Sequence, residues 1–140
     1  MLWAQSSAGL GFKVARHLIS TGSPFERTAG YSRAVVQGDW CFVSGTTGYD
    51  YKTMSMPDTV EAQTRNTLAT IEKALADAGF GLADIVRAHY YITDASYADL
   101  VFPILGETFG EIRPAATMVV CALIRPEMKV EIEVTALKRS

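Results

Sequence analysis

The sequence predicts a two-layer α+β domain with the element order β-β-β-α-β-α-β-β. Three observations lead there. Two short runs rich in Val, Phe and Trp, residues 33–37 and 40–46, flank a Gly38-Asp39 pair that suits a two-residue hairpin turn. Apolar or small residues recur at Val60, Thr64, Thr67, Leu68, Ile71, Leu75 and Ala78, which trace one face at a 3.6-residue period. Alternation over Ile85–Ile92 and over residues 129–138 marks strands with one face on a core. Helices packed on one side of a mixed sheet satisfy both periods.

Taken in order, regular structure is expected over residues 14–20 and is broken by Thr21-Gly22-Ser23-Pro24. After the hairpin, residues 48–57 read as a polar, turn-like loop. Asp58 is the expected N-cap of the first helix, with Glu61 at the capping-box spacing and Arg65 placed to pair with Glu61 across one turn. Gly79 stops that helix in the left-handed role. In the strand at 85–92, Val86, Ala88, Tyr90 and Ile92 point one way, and Arg87, His89 and Tyr91 the other. A second helix should follow Ser96 as N-cap and run to Phe109, kinked or starting late because Pro103 removes a backbone donor. The last strands are expected at 117–123 and 129–138. On the final one, Glu131, Glu133 and Thr135 share one face while Val130, Ile132, Val134 and Ala136 share the other. The second face of the sheet, taken to carry Tyr90 and Val119, is either polar or covered. We expect another chain to cover it.

Composition bounds the function. The chain has 140 residues, 49% of them hydrophobic and 20% charged, enough for one domain with a real core. That domain is expected over residues 14–140, behind a loosely ordered extension at 1–13 that lacks the pattern of a secretory signal. A cytoplasmic protein follows as the expectation. The net charge of −2 weighs against a broad phosphate-binding surface, so no nucleic-acid partner is expected. No apolar run reaches the roughly 18–20 residues that span a bilayer, so no membrane partner is expected either. Cys41 and Cys121 lie far apart, without a Cys-x-x-Cys pair, and read as buried, inert thiols.

Few side chains offer chemistry. Ser44-Gly45 is not a Gly-x-Ser-x-Gly elbow, and the two histidines, His17 and His89, fall in predicted strands. No ligand cluster for a metal and no phosphate-binding glycine motif is present, so no cofactor is expected. Glu131 remains. It is either a solvent-facing carboxylate or one that faces a cleft and orients a water, chemistry that a lone carboxylate can do.

An ordered series runs through the chain: Tyr31-Ser32-Arg33-Ala34-Val35, Gly38-Asp39, Phe42-Val43-Ser44-Gly45, Gln63-Thr64, Ala78-Gly79, Arg113-Pro114-Ala115 and Val130-Glu131-Ile132-Glu133. Together these resemble the Rid/YjgF family, the reactive-intermediate deaminases formerly labelled L-PSP endoribonucleases, over residues 16–138. The resemblance implies a chorismate-mutase-like fold of the bacillus type in a homotrimer, with an inner sheet barrel and clefts between subunits. It also implies a small-molecule substrate: family members hydrolyse reactive imines or enamines to ketoacids and ammonia. Carried over, the cleft tyrosine falls on Tyr31, the lining Ser-Gly on Ser44 and Gly45, and the water-holding carboxylate on Glu131. Ala116, Thr117 and Met118 fall on the substrate-binding stretch.

One position departs. The family's active branch has an arginine that clamps the substrate carboxylate, and Ala116 stands in its place. A charge-assisted bond of this kind is worth about 1.5–3 kcal/mol, so its loss should weaken binding of a carboxylate by roughly tenfold to a hundredfold. Arg33, two residues beyond Tyr31 and on the same strand face, or Arg113, ahead of Pro114, is the candidate replacement cation; otherwise each is a solvated arginine. Three functions therefore stand: an imine or enamine hydrolase using Glu131, a non-catalytic binding or sensing module, and, disfavoured by the acidic balance, an endoribonuclease.

Overall fold

The computed structural model describes residues 15–139. The extension expected at 1–13 lies outside them. The elements are β1 (Arg16–Ile19), α1 (Pro24–Ala29), β2 (Ala34–Gln37), β3 (Trp40–Thr47), α2 (Val60–Asp77), β4 (Ile85–Ile92), α3 (Ala98–Phe109), β5 (Ala115–Val120) and β6 (Val130–Leu137). The sheet order is β1-β2-β3-β6-β4-β5, antiparallel throughout except for the parallel pair β4–β5, which α3 connects. The α+β class holds.

The hairpin forms around Gly38, at φ 60°, with Gln37 opposite Trp40. β6 then pairs between β3 and β4, so its apolar side, Val130, Ile132, Val134 and Ala136, is sealed at the centre of the sheet. Against that side pack Val60, Leu68, Ile71 and Leu75 of α2 and Val101, Ile104 and Phe109 of α3. Burying a side chain of this size fully is worth about 1.5–3 kcal/mol, which makes this layer the main source of stability. Gly79, at φ 83°, follows the end of α2 as its sequence predicts. No helix among the described residues is long and apolar enough to cross a membrane.

Several expectations are corrected. Helix α1 stands where the sequence predicts a break. Yet Ser23 caps it, accepting from Phe25 N at 3.1 Å, Pro24 opens it and Gly30 closes it at φ 75°. The cap of α2 is Thr59, whose Oγ1 accepts from Ala62 N at 3.1 Å; Asp58 stands one residue too early. Arg65 pairs across to Glu107 on α3 at 3.2 Å rather than with Glu61. Asp94, not Ser96, caps the 3₁₀ turn Ala95–Tyr97 that leads into α3, and α3 continues through Pro103. β5 starts at Ala115, earlier than expected, which leaves Cys121 half-exposed just beyond it.

The expected inward set of β4 also needs revision. Pairings Ile85↔Ala136 and Arg87↔Thr135 make Val86 an extra residue, and that bulge turns it outward to 42% exposure. Tyr90 is buried on the helix side. The opposite face carries Tyr91, Leu18, Trp40, Phe42 and Val119 instead, the last four among the large apolar side chains left exposed.

Candidate functional site

A second bulge builds the site. Val43 pairs with Val134 and Thr46 with Ile132, so Ser44 and Gly45 together oppose the single residue Glu133. The extra residue bends β3 just where Glu131, opposite Thr47, rises from β6. Glycine at 45 is what lets the Glu131 carboxylate rest where it does. A Cβ there would run into the Glu131 carboxylate, with Cδ only 3.0 Å away. Ser44 is fixed at both ends: its N–H donates to Arg33 O at 2.9 Å and its hydroxyl to Ser32 O at 2.6 Å.

Arg33 sits behind this bulge with no exposed surface. Its Nη1 donates to Gly45 O at 2.8 Å and Thr46 Oγ1 at 2.9 Å, and its Nη2 donates to Tyr31 Oη at 3.3 Å. The guanidinium lies 4.7 Å from the centre of the Tyr51 ring and 5.5 Å from that of Tyr31. Its charge is answered by Glu26 of α1, 3.9 Å from Nε, and Nε itself has no hydrogen-bond partner. Burial would raise the Glu26 pKa, but hydrogen bonds from Thr21 and Ser20 outweigh it and hold the carboxyl below its ordinary range. The pair is therefore ionised and interior.

Glu131 is shifted the other way. Burial raises its pKa above the usual 4.5, Glu133 two residues on raises it further, and Arg33 opposes both. Across the same face, Tyr91 donates to Glu133 Oε1 at 2.6 Å and His89 Nδ1 lies 3.3 Å from that oxygen. That hydrogen bond, with some burial, pushes the Tyr91 phenol up to about 12. Glu131 is thus a half-buried carboxylate of raised proton affinity beside a second one that is already engaged.

The structure brings Tyr31, Arg33, Ser44, Gly45 and Glu131 together and leaves the other candidates apart. Ala116, Thr117 and Met118 lie on β5, separated from β6 by β4, and pair with Ala88, His89 and Tyr90. Arg113, at φ 53°, is exposed ahead of β5, whose Ala115 pairs with Arg87 at the opposite end of β4 from the Tyr91↔Glu131 level. Within one chain it is no replacement cation for Glu131. Arg33 is not solvated, and its burial also bars it from touching a ligand directly. Two concavities, about 600 Å³ beside Tyr51 and Asn66 and about 670 Å³ beside Trp40 and Phe42, exclude Glu131 from their walls.

Sequence reasoning missed Glu26 and Tyr51. Ser23 and Glu26 stand at capping-box spacing, a signal for α1 that was available. Tyr49 and Tyr51 inside a loop read as polar pointed to a buried segment; the two rings pack edge-on at 6.0 Å.

The sequence model of the family described as Endoribonuclease L-PSP matches residues 21–138. The chain belongs to that family, known also as YjgF or Rid. A RutC family protein of Pyrococcus horikoshii is 30% identical over 109 residues, 77% of this chain and 86% of the relative. Among solved structures, a YjgF/YER057c/UK114 family member from Mycobacterium tuberculosis is 45% identical at a TM-score of 0.82. The match covers 89% of this chain and all of that one. The YjgF gene product of Escherichia coli is 28% identical at a TM-score of 0.78, with 88% and 99% covered. The fold is therefore the YjgF/Rid fold, and the ordered series from Tyr31 to Glu133 falls within the matched span.

Proposed function

We propose that this YjgF/Rid-family chain binds a small metabolite in a cleft between subunits of a homotrimer and hydrolyses an imine or enamine there. The single observation that carries the reading is the Glu131 carboxylate, sheltered against Gly45 and more basic than an ordinary glutamate. A carboxylate so placed accepts a proton from a bound water as the water oxygen bonds to the carbon of a C=N group. The carboxylic acid returns that proton to nitrogen, giving a carbinolamine. Its hydroxyl proton then passes through the same carboxylate to nitrogen as the C=O bond forms and the C–N bond breaks, and a carbonyl compound and ammonia leave.

The trimer is part of the same reading. Ala116, Thr117 and Met118 stand far from Glu131 in their own chain, so a neighbour's β5 is the element that would bring such a stretch to this carboxylate. The exposed apolar side chains Leu18, Trp40, Phe42 and Val119 give that neighbour a surface to cover. The test is ammonia release from imines generated in situ, compared between the wild type and Glu131→Gln. Release lost in the variant supports hydrolysis, and no release from any imine or enamine tried removes it.

Ala116 favours a second reading, binding without turnover, because no cation stands where a substrate carboxylate would be clamped. Ligands that raise the melting temperature and are recovered chemically intact would support it.

A further inference from the structure

We propose that Arg33 is a positioning residue for the Glu131 site: its buried guanidinium pins the Tyr31 hydroxyl and the Gly45 carbonyl, and so fixes the wall against which the Glu131 carboxylate rests. The inference deepens the reading of Glu131 as the site's carboxylate and rests on it.

The contacts form a continuous path. Arg33 Nη1 reaches Gly45 O at 2.8 Å, and Gly45 abuts Glu131 so closely that no side chain fits between them. The second bond of the same nitrogen, to Thr46 Oγ1 at 2.9 Å, holds the residue after the bulge. Thr46 in turn donates to Ser44 O at 2.8 Å, which closes the loop around Gly45. On its other side the guanidinium holds Tyr31 by its hydroxyl.

An arginine with no exposed surface is a costly way to fill space. Replacing a buried ion pair by apolar residues of similar volume is often neutral or stabilising. The geometry also shows which partners set the orientation of the fork. The short hydrogen bonds go to Gly45 and Thr46, while Glu26 is left at 3.9 Å and Nε goes unpaired. A side chain present for the ion pair alone would offer Glu26 a bidentate fork. Here the planar guanidinium is aligned by the site-side acceptors, and Glu26 serves as its counter-charge. A lysine keeps the charge but not the fixed multi-donor plane.

The charged and titratable groups around the two ends are few. Arg33 faces Glu26 from α1, Tyr31 from the segment before β2 and Tyr51 from the loop after β3. Glu131 has Glu133 on its own strand, with His89 and Tyr91 of β4 against that second carboxylate, and Arg33 behind Gly45. Arg33 supplies the buried positive charge in this set, acting on Glu131 without meeting the ligand.

The test follows the Glu131 carboxyl signal in ¹³C-glutamate-labelled protein, assigned by its loss in Glu131→Gln and titrated with pH. Arg33→Met alone would strand Glu26 and Glu26→Gln alone would strand Arg33, so the comparison is wild type against Glu26→Gln/Arg33→Met, neither of which holds an unpaired buried charge. Expected is a higher titration midpoint for Glu131 in the double variant. The same midpoint in both, with both folded by near-ultraviolet circular dichroism, overturns the inference. Arg33→Lys supplies the geometric arm: a midpoint close to wild type, but imine hydrolysis or ligand affinity lower by roughly tenfold or more. Full function in Arg33→Lys also overturns it. Because the titration needs no substrate, the two readings fail separately. A moving midpoint without ammonia release keeps Arg33 and sinks hydrolysis; ammonia release with a fixed midpoint does the reverse.

Discussion

The carboxylate of Glu131 fills the space that a side chain at Gly45 would need. The two residues come from different strands, and a bulge in β3 brings them into contact. The obstructing atoms are the far end of a flexible side chain, so Gly45→Ala should be accommodated by swinging Glu131 outward. The expected loss of stability is about 1 kcal/mol, at the low end for overpacking. The expected loss of ligand binding is large, and the Glu131 titration midpoint should fall toward its ordinary value. A denaturant melt and a carboxyl titration of the same sample check both halves.

Gly48 offers the contrast. A Cβ there would lie 2.6 Å from Gln63 Cα and 2.9 Å from Gln63 O, atoms of the α2 backbone that cannot rotate aside. Gly48→Ala should therefore cost about 3 kcal/mol or more, measured by urea unfolding. A loss no greater than that of Gly45→Ala would contradict the close approach of Gly48, just after β3, to the α2 backbone.

Glu131 also sets a pH dependence. Its folded pKa lies above the unfolded 4.5, so burial disfavours the charged form. Its contribution to stability is fully present below pH 4.5 and is lost as pH rises through the raised folded value. Glu131→Gln removes that loss. The variant should gain melting temperature relative to wild type as pH rises from about 4.5 toward neutrality while losing the proposed hydrolysis. Parallel Tm curves across that range would refute it.

Gln63 is a clamp. Buried on α2, it donates to Pro57 O at 2.8 Å and Glu127 O at 3.0 Å and accepts from Lys129 N at 2.9 Å, tying the helix to the approach into β6. Gln63→Leu leaves those groups unpaired and should cost roughly 2–3 kcal/mol. Faster amide exchange at Lys129 would locate the damage.

How legible this was in the sequence depended on range. Helix α2 and the two faces of β6 were readable because each repeats one pattern over many residues. Helix α1 was not: six residues carry little periodicity, and only its caps announce it. Asp58 and Thr59 are both competent caps one position apart, and the helix phase chose between them. Val86 was misplaced because alternation reads the same whether or not a strand holds an extra residue. At the site, Tyr31 and Arg33 do meet, but not as alternating strand neighbours: both precede β2, and a hydrogen bond from Arg33 to the Tyr31 hydroxyl joins them. Arg33's burial was not legible either, since it depends on Glu26 from α1 and Tyr51 from the loop after β3. The distance of Ala116 from Glu131 followed only from the strand order, which no local pattern encodes.

The additional residue in β3 also makes that strand unusually sensitive to length. Deleting Ser44 or Gly45 would let the ladder with β6 run without interruption from Val43 onward, an arrangement more regular than the native one. It would also remove the gap that receives the carboxylate and dislodge the main-chain oxygen to which Arg33 is tethered. Among changes in this strand, the loss of a single codon would therefore damage the site more thoroughly than most substitutions, while leaving a ribbon still well suited to folding.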